Sequence, residues 1–222
     1  MKYILTTEAQ DGITALSERL INELDEGKRA LWLVSGGSNI PLSVQVMENI
    51  PASLSRKLTV LPADERYGKP GHPDSNVSQL LQAGFKPHQA ELLTVLEGLS
   101  LEATRERYEQ MAKDAFQQAD IILAQLGMGA DGHIAGILPH SAALESGNFV
   151  SAYQGPDFSR LTLTSHAIKR IEVAYVFAFG AAKRNALEHL QQQMLPYAEQ
   201  PAQMLKELPE VYVYNDQIGD VA

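Results

Sequence analysis

Residues 126–141 read LGMGADGHIAGILPHS, and the interpretation of this stretch decides both fold and chemistry. Gly127, Gly129 and Gly132 have the G-x-G-x-x-G spacing of a dinucleotide-binding turn. Such a turn opens a long helix in the first strand–helix–strand unit, and a carboxylate ends the next strand about 20 residues on. The strand in front is present, as ADIILAQLG (119–127). The rest does not match: the motif lies past mid-chain, and Gly136 and Pro139 interrupt any long helix after it. About 20 residues further, SAYQGPD shows no clear strand ending in a carboxylate, since Asp157 follows Gly155-Pro156. The expectation is a flexible glycine-rich loop at a strand end, not a cofactor turn.

That loop carries Asp131 and His133. An imidazole titrates near working pH and suits general acid–base catalysis. A carboxylate that holds its ring would fix the tautomer and stabilise the imidazolium. Asp131 is one candidate, and Asp64, from another loop, is an equal one. No spacing in the chain matches a defined zinc motif such as H-E-x-x-H, so no metal is expected.

Outward from this loop, apolar runs of strand length alternate with amphipathic helical segments. KYILTT, RALWLVSG, KLTVLPA, ELLTVL, RLTLT, IEVAYVFAFG and VYVYN read as strands. Residues 11–27, 41–50, 100–118 and 181–193 read as helices, with a further short helix near PAQMLKEL (201–208). Gly27 stops the first, Pro41 opens the second, and Ser100 is the N-cap of the third. The alternation predicts an α/β fold, Rossmann-like, with a mostly parallel sheet and helices on both faces, in one domain spanning residues 1–222. Ligands then belong at the carboxyl ends of the strands.

The composition narrows the function classes. Of 222 residues, 45 % are hydrophobic and the net charge is −9, which makes the chain a poor general nucleic-acid binder, since phosphate contacts need a basic face. The absence of cysteine excludes disulfides, thiolate metal sites and a cysteine nucleophile. The first residues lack the apolar core of a signal peptide, and no run approaches the roughly 20 apolar residues of a membrane span. The expectation is a cytoplasmic protein, a monomer or weak homodimer, that meets neither membrane nor nucleic acid.

Two further strand ends carry chemistry. VSGGSN (34–39) runs from strand through a glycine turn into a helix, a geometry that cradles phosphate through free N–H groups; it also fits a plain turn with Ser38 or Asn39 as N-cap. It is not a Walker A loop, since no Lys-Ser or Lys-Thr follows. DERYGKPGHPDSN (64–76) places Asp64, Glu65 and Arg66 where a strand ends and leads into a long polar loop. Arg66 is suited to clamp an anion there.

VSGGSN, DERYGKPGHPDSN and LGMGADGHIAGILP, in this order, resemble the 6-phosphogluconolactonases within the wider glucosamine-6-phosphate isomerase/deaminase-like family. The resemblance extends over almost the whole chain, including RLTLT and GAAKRNAL. It implies hydrolysis of 6-phospho-D-glucono-1,5-lactone, a small phosphosugar lactone, with no cofactor. It passes the general-base role to His133, and phosphate binding to Ser35, Gly36, Gly37, Ser38, Arg66 and Lys183, with Arg160 as a further cation. Asn39 stands where these relatives usually have threonine, and Ile134 and Gly136 replace two of their hydroxyl residues. The deaminase branch carries a glutamate shortly after D-G-H; here the place reads GILP.

Overall fold

Alternate side chains of the main strands face opposite sides of one sheet, and both sides are covered. The computed structural model describes residues 1–220. In spatial order the sheet holds β1 (Lys2–Leu5), β10 (Glu210–Asn215), β9 (Val173–Ala178), β6 (Ile121–Gly127), β2 (Ala30–Val34), β3 (Leu58–Pro62) and β5 (Glu91–Leu92), all parallel. On one face, Trp32, Val34, Val60 and Leu123 pack against α1 (Gln10–Asp25), α2 (Ile40–Asn49) and α3 (Asn76–Gln82) through Leu16, Leu20, Val46 and Leu80. On the other, Leu31, Leu33, Leu61 and Leu126 meet Tyr108 and Phe116 of α4 (Leu101–Gln118) and Leu187 of α6 (Arg184–Gln192). Among the described residues no helix is long and apolar enough to cross a membrane.

The winding matters more than the strand count. From β2 the chain moves through β3 to the edge strand β5. It then returns to β6 on the other side of β2 and continues to β9 and β10. The direction of progress therefore reverses between β2 and β6, which leaves a crevice at their carboxyl ends.

A second, antiparallel sheet of β4 (Asp64–Arg66), β8 (Ser159–Leu163) and β7 (Val150–Gln154) packs into the same core as α4. Here the structure corrects the sequence expectation. DER is not the start of a loop but a short strand, and its charged residues hide it from any hydrophobic pattern. β7 was concealed by Ser151 and Gln154, which dilute a short alternation. ELLTVL supplies only the two residues of β5. PAQMLKEL is helical as read, as a 3-10 helix, Pro201–Glu207, whose Ala202 N–H ties it to the Gly132 carbonyl (2.9 Å). The helix signals are well placed: Ser100 caps α4 by accepting from the Ala103 N–H (3.3 Å), and Gly27 closes α1 at φ +87°. Neither Ser38 nor Asn39 caps α2 with its side chain.

α1 approaches the sheet so closely that a methyl group on Gly12 would stand 2.5 Å from Phe177 Cε1 and 2.9 Å from Tyr214 Cδ2. Elsewhere in a helix, glycine to alanine stabilises by roughly 0.5–1 kcal/mol. Here Gly12→Ala is expected to lower stability by about 1–3 kcal/mol through overpacking, read as a lower urea midpoint. An unchanged or higher midpoint would show that the helix can lift without cost.

Candidate active site

The loops leaving β2 and β6 form two walls of a cleft of about 220 Å³ at the reversal point. β4 forms a third. Because successive side chains of a strand point to opposite sides, Asp64 and Arg66 face the cleft and Glu65 faces away from it. Glu65 is fully buried and gathers four donors: the N–H groups of Arg66 (2.8 Å), Asn76 (2.6 Å) and Val77 (3.1 Å), and the Ser75 hydroxyl (3.0 Å). It thereby clamps the first turn of α3 to β4. His72, in the same loop, bonds the Arg66 carbonyl through Nε2 at 2.9 Å and lies away from the cleft lining.

The loop after β6 brings His133 and Asp131 together. His133 Nδ1 lies 2.7 Å from Asp131 Oδ1, which also accepts the His133 N–H at 3.1 Å. A carboxylate only accepts, so Nδ1 carries the proton and Nε2 is left as the basic nitrogen. The hydrogen bond from His133 holds the Asp131 carboxyl below its ordinary pKa, against the opposing effect of partial burial. Asp131, not Asp64, is therefore the carboxylate in contact with the imidazole.

The glycines of this loop serve contact rather than mobility. A methyl group on Gly129 would stand 2.1 Å from His133 Nδ1 and 2.4 Å from Asp131 Oδ1. Gly132 has φ +79° and lies against the buried Gln200 side chain. The loop is tied within itself by Gly129 N–H to His133 O (2.9 Å) and Gly132 N–H to Gly129 O (3.0 Å). Beyond it, Ile134 and Ile137 are fully buried, and Gly136 is held by Thr162 Oγ1 (3.1 Å) and the Tyr153 hydroxyl (2.5 Å). The expectation of a flexible loop does not describe this arrangement.

Cations line the remaining wall. Arg66 and Arg160 are direct partners across the β4–β8 ladder, a position where like charges repel. Both guanidinium groups lie near the Phe158 ring, at 5.0 and 5.9 Å from its centroid. Arg66 donates to the Asp74 carbonyl (3.2 Å) and Lys183 to the Met128 carbonyl, so neither spends its charge on a carboxylate there. Burial lowers the Lys183 pKa, while Asp131 nearby raises it. Of the buried side-chain polar atoms that lack a partner among the described residues, Ser35 Oγ, Arg66 Nε, Asn76 Oδ1 and Arg160 Nε all belong to residues lining this cleft. In the loop after β2, Gly37 has φ +62° and opens a 3-10 turn into α2, leaving its first N–H groups without intrahelical acceptors. The arrangement suits a polar anion beside an acid–base dyad. Among the described residues, no three His, Asp or Glu side chains cluster closely enough to hold a metal ion.

Comparison with known proteins agrees with this geometry. A family model described as glucosamine-6-phosphate isomerases/6-phosphogluconolactonase matches residues 6–213. The chain belongs to this family. A 6-phosphogluconolactonase of Synechocystis is 26 % identical over 99 % of this chain and 94 % of its own length. The crystal structure of the Thermotoga maritima 6-phosphogluconolactonase superposes with a TM-score of 0.80 at 21 % identity, covering 96 % of this chain and 98 % of that one. A monomeric glucosamine-6-phosphate deaminase superposes equally well, TM-score 0.80 at 18 % identity over 97 % of each chain. The backbone of this family therefore does not separate the two chemistries; the side chains in the cleft must.

Ser35, Gly36, Gly37, Ser38, Asp64, Arg66, His133, Arg160 and Lys183 all line the one cleft, and Asp131 stands behind His133. Asn39, read in sequence as a side-chain donor of the glycine loop or a helix cap, and Asn76, read as a bond to local backbone, line it too; Phe158, near both arginines, was not read at all. The S-G-G-S-N and D-S-N strings held the signal for the two amides; nothing in the sequence marks Phe158.

Asp64 is 6 % exposed, and burial raises its pKa although Arg160, Arg66 and His133 each pull it down. An acid with a raised native pKa binds more protons folded than unfolded, so it detracts from stability as pH rises above the ordinary carboxylate range. Asp64→Asn is expected to melt above the wild type at pH 7, on a scale where ~1 kcal/mol shifts Tm by about 2–4 °C. The difference should shrink as pH falls through the ordinary carboxylate range and vanish below about pH 3, where both states are protonated. A variant that melts below the wild type at pH 7 would show that the arginines need the carboxylate more than burial penalises it.

Proposed function

We propose that this chain hydrolyses 6-phospho-D-glucono-1,5-lactone to 6-phospho-D-gluconate, a step of the oxidative pentose phosphate pathway, by acid–base catalysis without metal or cofactor. The observation that carries the reading is the His133–Asp131 pair set beside two arginines and a lysine that form no direct ion pair among the described residues. The cations and the N–H groups after β2 suit a phosphate dianion. The dyad suits an ester.

His133 Nε2 takes a proton from water as the water oxygen bonds to the lactone carbonyl carbon. Asp131 stabilises the imidazolium that forms. The tetrahedral intermediate collapses, the bond from carbon to ring oxygen breaks, and Nε2 returns the proton to that oxygen. The carboxylic acid product then loses its own proton to solvent. Arg66 and the backbone N–H groups of the loop after β2 stabilise the oxyanion, and Asp64 orients a sugar hydroxyl. The amino-sugar deaminase reading is weaker because Ile134 and Ile137, just after the histidine, are core residues, and the segment supplies no further carboxylate. The scaffold acts as one sugar-phosphate-binding unit. Its doubly charged substrate belongs on the side of a membrane where it is made, which favours a cytoplasmic site.

Freshly generated lactone, followed by a coupled assay above its spontaneous hydrolysis, should be turned over by the wild type, and glucosamine 6-phosphate should release no ammonia. His133→Ala is expected to lower kcat by about 10²-fold or more, and Asp131→Asn by about tenfold or more through loss of the tautomer. Near-normal turnover by His133→Ala would remove the assignment. Arg160→Gln should instead raise KM, Arg66→Gln should raise KM and also lower kcat through its oxyanion role, and neither should bind inorganic phosphate as the wild type does.

A further inference from the structure

Asn39 is 1 % exposed, yet its amide lies on the cleft wall. Gln125, fully buried in β6, determines which way that amide points. Its Nε2 donates to the Asn39 carbonyl at 3.1 Å. A backbone carbonyl only accepts, so the Gln125 amide has one permitted orientation. Its Oε1 then takes the Ser43 hydroxyl at 3.0 Å. The same Nε2 faces Asn39 Oδ1 at 3.4 Å; this is a long contact, but the reversed amide would set two NH₂ groups against each other. Asn39 Nδ2 is thereby turned away from Gln125 and toward Gly127, where a methyl group would stand only 2.6 Å from it. Nδ2 makes no hydrogen bond to the described residues, and Asn39 does not cap α2. A nearly buried donor is thus held in a fixed orientation, without a partner, between the phosphate loop and the dyad loop.

We infer that Asn39 is a substrate-binding residue whose Nδ2 donates to an oxygen of the phosphorylated lactone, and that Gln125 and Ser43 are positioning residues acting through it. This rests on the hydrolase reading above and adds a specificity determinant to it. The donor is neutral, so it selects an acceptor oxygen at a given place rather than charge in general.

The test uses the full chain and two quantities, kcat/KM for the lactone and calorimetric affinity for the product, 6-phosphogluconate. Asn39→Asp keeps the shape and the acceptor facing Gln125 but replaces the NH₂ with an acceptor. It should lower kcat/KM by roughly 10- to 100-fold, the scale of a hydrogen bond to a charged or strongly polar partner, and weaken product binding, with cooperative melting retained. Asn39→Ser, which adds no charge, should show a smaller loss in the same direction. Gln125→Met should lower kcat/KM when Asn39 is present and have no further effect in an Asn39→Ser background. Unchanged kcat/KM and product affinity in both Asn39 variants, or additive effects of Gln125→Met, would overturn the inference. Absence of lactonase turnover by the wild type would instead overturn the hydrolase reading, and product affinity would still report on Asn39.

Discussion

The parallel pairing of β2 with β6 is the constraint on which the site depends. Five consecutive residue pairs, Ala30 with Ile121 through Val34 with Gln125, run side by side through the centre of the molecule. β2 ends level with Gln125, two residues before β6 ends at Gly127, and the chain leaves these two in opposite directions because the winding reverses between them. The crevice is the geometric result. It is walled by the loops that the two strands release. The second sheet closes it by turning β4 against β8, which brings Asp64, Arg66 and Arg160 to the same opening.

Those residues are not placed for stability. Arginine opposite arginine on a ladder rung, and a carboxylate sunk where burial disfavours its charge, are arrangements that a purely structural sheet would avoid. Phe158 offsets part of the repulsion by presenting its ring to both guanidiniums. Four buried polar atoms without a partner among the described residues, on Ser35, Arg66, Asn76 and Arg160, meet at this one cleft. Local rules of folding give way here, as the proposed binding of a charged ligand would require.

Much of this was readable from the sequence, for identifiable reasons. The parallel sheet showed itself because strands buried on both faces are continuous apolar runs, and the helices because their caps and stop signals are local. His133, the serine–glycine loop and Arg66 were visible because each sits just past a strand end. Three things were not. β4 is made of charged residues and β7 is short, with Ser151 and Gln154 breaking its apolar pattern, and the pairing of β4 with β8 is decided by partners far along the chain. The carboxylate partner of His133 depended on a side-chain distance, and only the fold places Asp131 against Nδ1. The glycines of residues 127–132 suggested freedom, but Gly129 and Gly132 are there because the dyad and Gln200 occupy the space a side chain would need.

Glu65 shows how the polar loop can vary. By drawing the first turn of α3 onto β4 through four hydrogen bonds, it closes the ends of residues 65–76 independently of what lies between them. A closed loop pays little entropy for extra length. The exposed tip from Lys69 to Gly71 is therefore a place where insertions can accumulate without moving Asp64 or Arg66, so a lengthened loop could acquire contacts to another surface while the cleft keeps its shape.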